Sequence, residues 1–132
     1  MATDDRSGGL VKTLLVVSAW LETITGVALI AAPAAPVSLL LGVAFDTPVG
    51  LVMARVAGVA LVALGLACWL ARDDGRSPAA RGVVAAMLLY DLAAAAVLLY
   101  AGLGLKLSAM GLWPAVLLHL ALAAWCTRCL RP

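Results

Sequence analysis

Ser18-Ala19-Trp20-Leu21-Glu22-Thr23-Ile24-Thr25-Gly26 lies inside an apolar run that extends from Leu10 to Ala32. A membrane-crossing helix needs about 20 mostly apolar residues, and this run supplies them. Glu22 stands near its middle. A carboxylate at bilayer depth is costly enough to require a partner or a purpose. Two questions follow: whether the rest of the chain is also built for a bilayer, and what meets Glu22.

The chain has 132 residues, of which 65% are hydrophobic and 12% charged. Its mean hydropathy is +1.11. Soluble domains carry about 25% charged residues, so lipid is the expected solvent. A net charge of +2, without clustered basic residues, excludes a nucleic-acid surface. The first nine residues are polar and acidic, unlike a cleavable signal, and predict a disordered tail over 1–9. Residues 10–130 then form a single membrane domain.

Punctuation divides that domain into four spans, at about 10–32, 48–71, 78–103 and 112–130. Pro33 and Pro36 end the first, because proline removes a helical N–H and disfavours helix at the preceding residue. The short apolar stretch from Val37 to Phe45 predicts an interfacial turn or short helix. Asp46 or Thr47 before Pro48, and Ser77 before Pro78, are cap-then-proline start signals. Pro114 fits the first turn of the fourth span. The expected fold is all-α, a four-helix transmembrane bundle.

Seven Lys and Arg residues flank the spans on the side of the termini: Arg6, Lys12, Arg72, Arg76, Arg81, Arg128 and Arg131. Only Lys106 lies on the other side. The positive-inside rule therefore predicts cytoplasmic N and C termini and a bacterial inner-membrane location. Trp69 and Trp125 fall near the inner interface, and Trp113 and Tyr100 near the outer one.

Each span carries one ionisable residue away from its ends: Glu22, Arg55, Asp91 and His119. At about 1.5 Å rise per residue, they lie roughly 9 Å (Arg55), 12 Å (His119), 15 Å (Glu22) and 18 Å (Asp91) from the outer ends. Helical spacing places Ser18, Glu22 and Thr25 on one face, and Arg55, Gly58, Val62, Gly65 and Trp69 on another. Met87, Asp91, Ala94 and Leu98 line up on the third span beside Tyr90. Ala115, His119, Ala123 and Cys126 line up on the fourth. The expected site is a buried polar cluster of Glu22, Arg55, Tyr90, Asp91 and His119. Its structural reading is a salt-bridge network in which Arg55 neutralises Glu22 or Asp91. Its functional reading is a ligand pocket, with the remaining acid free to carry a proton.

Cys68, Cys126 and Cys129 all fall near the inner ends of their spans. Three converging thiolates would suit a soft metal, although membrane helices also use cysteine as a small apolar residue. No cofactor is expected. Haem would rest on His119 alone, the one histidine of the chain.

Glu22-Thr23-x-x-Gly26, Pro33/Pro36, Leu40-Leu41-Gly42, Arg55-Val56-Ala57-Gly58, Tyr90-Asp91 and Trp113-Pro114-Ala115 with His119 resemble small bacterial four-span membrane proteins of DoxX-like pattern. The resemblance implies an inner-membrane helical bundle and carries over no catalytic residues. A glutamate in the first of four spans is also similar to small multidrug-resistance transporters, where one acid serves drug and proton. The Arg-Asp-His set departs from that pattern, and an arginine beside the glutamate would oppose cation binding. The expected function is a non-enzymatic membrane protein that binds a small or lipid-like molecule such as a quinone, or that acts as a subunit of a membrane complex. The bilayer is its first partner, and a homo-oligomer or complex subunit a further one. A proton-coupled exporter is the alternative, and a small enzyme using acid-base chemistry comes last.

Overall fold

A computed structural model describes the backbone of residues 2–44, 46–75 and 77–131, with side chains from Gly8 onward. Helix α1 spans Ala2–Ala31, α2 Ala34–Leu41, α3 Pro48–Ala71, α4 Pro78–Leu99 and α5 Leu112–Leu130. A π turn, Tyr100–Gly104, extends α4. No strand occurs among the described residues. Four of these helices are long and apolar enough to cross a membrane, as α1, α3, α4 with its π turn, and α5. Each buries only between 22% and 33% of its most apolar window. Water would not tolerate so much bare hydrocarbon on a small monomer, whereas a bilayer covers it. The molecule is an all-α, multi-pass membrane protein.

The local signals explain where the helices begin and end. The Thr47 hydroxyl accepts from the Gly50 N–H at 3.2 Å, and the Ser77 hydroxyl accepts from the Ala80 N–H at 3.0 Å. Pro48 and Pro78 follow each cap at the first helical position. Pro33 stands between α1 and α2, where the sequence predicts the first span to end. Pro36 falls in the first turn of α2, where its missing N–H costs nothing. Phe45, at the end of the expected interfacial segment, lies outside the described residues. Helix α1 begins at Ala2, inside the stretch 1–9 read from the sequence as a tail. No proline stands between Ala2 and Ala31 to interrupt the helix.

In lipid there is little hydrophobic drive between spans, so association rests on close packing and polar contacts. The α1–α3 pair shows this directly. A Cβ on Gly26 would meet the Gly58 carbonyl oxygen at 2.6 Å, and one on Gly58 would meet the Gly26 oxygen at 2.7 Å. A Cβ on Gly65 would meet the Thr23 hydroxyl at 2.5 Å and the Ala19 oxygen at 2.9 Å. The two backbones touch along this line. Helices α4 and α5 form the second close pair. The pairs join through α3 against α4 and α1 against α5, which closes the four spans into a ring. Both termini lie at one end of it.

Toward that end the ring is filled by Val11, Leu14, Leu15, Ala19, Cys68, Val84, Met87, Leu122 and Cys126, a core drawn from all four spans. At the other end α2 latches onto the loop before α5. The Gly111 N–H donates to the Leu39 oxygen at 3.1 Å. Gly42 ends α2 with φ +71, and a Cβ there would meet the Ser108 oxygen at 2.5 Å. Glycine is required at this position on both counts.

Cations finish the helices. Nε of Arg55 donates to the Ile30 oxygen at 3.2 Å, Nη1 of Arg72 to the Trp69 oxygen at 2.5 Å, and Nη2 of Arg81 to the Leu130 oxygen at 3.2 Å. Each reaches a carbonyl in the last turn of α1, α3 or α5. These carbonyls lack helical partners and carry the negative end of the helix dipole. In the turn after α3, Lys12 and Arg72 pair with Asp73 at 2.7 and 3.2 Å. The hydrogen bond from Lys12, with Arg72 beside it, holds this exposed carboxylate below its ordinary value of 3.8.

Candidate functional site

The centre of the ring holds a polar cluster from three helices. Asp91 on α4 is fully buried, and Glu22 on α1 is 4% exposed. The Nδ1–H of His119, on α5, donates to Oδ1 of Asp91 at 2.8 Å. That bond orients the imidazole on the Asp91 carboxylate. Tyr90 packs edge-on against His119, with ring centres 5.6 Å apart. The groups around Glu22 are the Tyr90 hydroxyl, Asp91 and His119. Cys68 from α3 and Cys126 from α5 are buried in the apolar core on the termini side of this cluster.

Four of the five residues expected at this site therefore meet, and Arg55 does not. The register of the α1–α3 pair is the reason. Gly26 faces Gly58 and Ala19 faces Gly65, which brings Ile30 level with Arg55 and Glu22 level with Val62. Seven residues separate Val62 from Arg55, about 10 Å along the axis. Arg55 shares a helix face with Gly58 and Gly65, as its spacing predicts, but spends its donor on Ile30 and stays largely exposed. Thr25 is likewise exposed rather than grouped with Ser18 and Glu22. On α4 and α5 the predicted faces hold: Met87, Asp91, Ala123 and Cys126 are buried, and Ala94, Ala115 and His119 half-buried.

The loss of Arg55 changes the charge count. Two carboxylates share one imidazole, and no Lys or Arg with a described side chain forms an ion pair with either. Two buried oxygens also lack protein partners: Oδ2 of Asp91 and Oγ of Ser18, the latter one turn from Glu22 on the same face. A buried acceptor without a donor costs about 1–3 kcal/mol. The cluster thus offers unspent acceptors, and its two acids share one basic group.

The cysteines do not assemble a metal centre. No three His, Cys, Asp or Glu side chains converge to hold an ion among the described residues. Cys68 and Cys126 are fully buried in the core, Cys129 is half-buried one turn further along α5, and all three thiols are free. They fill space as small apolar groups do.

Two features escaped the sequence reading. A groove of about 340 Å³ runs along α1 and α3, floored by Gly65 and walled by Trp20 and Trp69. The two indoles meet edge-to-face at 6.4 Å, and the Arg72 guanidinium lies 4.0 Å over Trp69. A second groove, of about 420 Å³, lies between the start of α1 and the end of α5. Glycine and alanine floors leave no chemical signal in sequence, so neither groove could be found from composition. No family model, curated protein or solved structure matches this chain.

Proposed function

We propose that this is a non-enzymatic protein of a bacterial inner membrane, with both termini cytoplasmic, that binds a small or lipid-like molecule at Glu22, Tyr90, Asp91 and His119. The location rests on the seven-to-one charge asymmetry across the spans. It also accords with the DoxX-like pattern of the chain. The observation that carries the binding reading is the unspent acceptor at the centre of this cluster. Two acids and one imidazole come together inside a ring of apolar helices, with Oδ2 of Asp91 left unsatisfied. Ionisable groups within a membrane mark substrate or proton pathways more often than they serve as filler. The ligand this cluster fits presents a cationic or hydrogen-bond-donating head, and its apolar remainder lies among the helices.

A second reading gains from the same geometry. Proton-coupled export of a cation requires a carboxylate that no arginine neutralises, and Arg55 is about two turns away from Glu22. Native mass spectrometry of gently extracted protein, together with flux assays in vesicles, separates the two. Binding alone predicts a small-molecule adduct that Glu22→Gln and Asp91→Asn both remove, with no pH-driven flux. Export predicts flux that requires a proton gradient and disappears with Glu22→Gln. Neither adduct nor flux, in protein whose fold is intact, would overturn both readings. The same spectra report whether a second copy or another subunit travels with the chain.

A further inference from the structure

The groove between α1 and α5 lies at the end of the ring that holds the termini. It is lined by Leu10, Ala121, Ala124, Trp125 and Arg128. Its floor is low because Ala121 and Ala124 stand one turn apart on the outer side of α5. Trp125 packs against the core with one flank and forms a wall with the other. Arg128 is exposed at the mouth, in the last turn of α5.

Three of the neighbouring cations are already engaged. Lys12 and Arg72 hold Asp73, while Arg81 holds the Leu130 carbonyl. Arg128 forms no ion pair and no side-chain hydrogen bond among the described residues. A guanidinium presents its donors in a fork that matches a phosphate. An indole beside it suits the headgroup level of a bilayer. The lining below it, Leu10, Ala121, Ala124 and Trp125, is apolar, as an acyl chain requires.

We infer that this groove binds one anionic phospholipid of the leaflet on the termini side, with its phosphate on Arg128 and an acyl chain over Ala121 and Ala124 against Trp125. The argument is one of charge and shape together. A zwitterionic lipid fills the same channel but brings its own ammonium to the mouth, where Arg128 repels it. An anionic lipid gives Arg128, unengaged among the described residues, a partner at the mouth of this groove. This site is independent of the central cluster, since Arg128 and Trp125 belong to another face of α5 than His119.

The test uses the full chain. Trp20, Trp69 and Trp113 are replaced by Phe, leaving Trp125 as the only indole. The protein is placed in phosphatidylcholine vesicles containing a minority of lipid brominated on its acyl chains. Brominated phosphatidylglycerol is expected to quench Trp125 more strongly than the same share of brominated phosphatidylcholine, with a preference of about fivefold for one basic residue near the surface. Arg128→Gln should abolish the preference, while Lys106→Gln, at the opposite end, should leave it. If the triple replacement disturbs the fold, native mass spectrometry of the wild type supplies the second measurement. Phosphatidylglycerol adducts should outlast phosphatidylcholine adducts, and Arg128→Gln should level them. Equal quenching by both lipids, unchanged by Arg128→Gln, would overturn the inference. So would shielding of Trp125 from both lipids with a doubled mass, which would assign the groove to a second copy of the chain.

Discussion

Asp91 is fully buried and receives one hydrogen bond, from His119. Polar pairs inside membrane proteins couple by about 0.6 kcal/mol on average and at most about 1.7 kcal/mol. A double-mutant cycle of Asp91→Asn and His119→Ala, read by unfolding in detergent, should give a coupling in that range. Glu22→Gln and Arg55→Ala should instead add within about 0.5 kcal/mol, as distant sites do. A large Glu22–Arg55 coupling would mean that the arginine reaches the cluster after all. The sequence groups Asp91 and His119 in one cluster and expects Arg55 there as well, and only the first grouping holds. Asp91 and His119 lie on small-residue faces at compatible depths, and each needs what the other offers. Arg55 satisfies itself on a main-chain carbonyl, an acceptor that every residue carries and that no motif marks. Depth alone could not decide, because the estimates for Arg55 and Glu22 differ by only about one helical turn, whereas the register of the paired helices sets them about two turns apart.

Among the elements, the contact between α1 and α3 is set by missing side chains. Gly58 has no room for a Cβ against the Gly26 carbonyl at 2.7 Å, and backbone cannot rotate away as a side chain can. Gly58→Ala should therefore force the helices apart and cost about 1–3 kcal/mol, the range for overpacking. Gly82, on the surface of α4, has nothing within 4 Å of its would-be Cβ. There the same substitution should gain up to about 1 kcal/mol through helix propensity. Thermal stability of the two variants in one detergent makes the comparison, and equal effects would remove close packing as the explanation. Helix starts were legible because Thr47-Pro48 and Ser77-Pro78 act within a few residues of themselves. Small residues four apart, Ala54 and Gly58, let the α1 and α3 backbones come close. Which helix approaches is a tertiary fact, absent from the local pattern, as is the glycine latch between α2 and the loop at Gly111.

At the scale of the whole molecule, four spans and a polar centre follow from composition and spacing, while their arrangement as two close pairs does not. The first pair, α1 with α3, is complete before the turn at residues 72–77, and the second, α4 with α5, follows it. A chain divided within that turn should therefore reassemble when both halves are made in the same cells, as judged by co-purification through a tag on one half. Failure of the halves to meet would show that the turn itself, with Lys12 and Asp73 closing it, is essential to the ring.

Contiguous pairing has a consequence for biogenesis. A membrane protein enters the bilayer in the order of its synthesis, and Glu22 arrives in the first span. Tyr90, Asp91 and His119 are still unmade when the first pair has inserted. Until they appear, the half-built protein carries an acid with its companions missing.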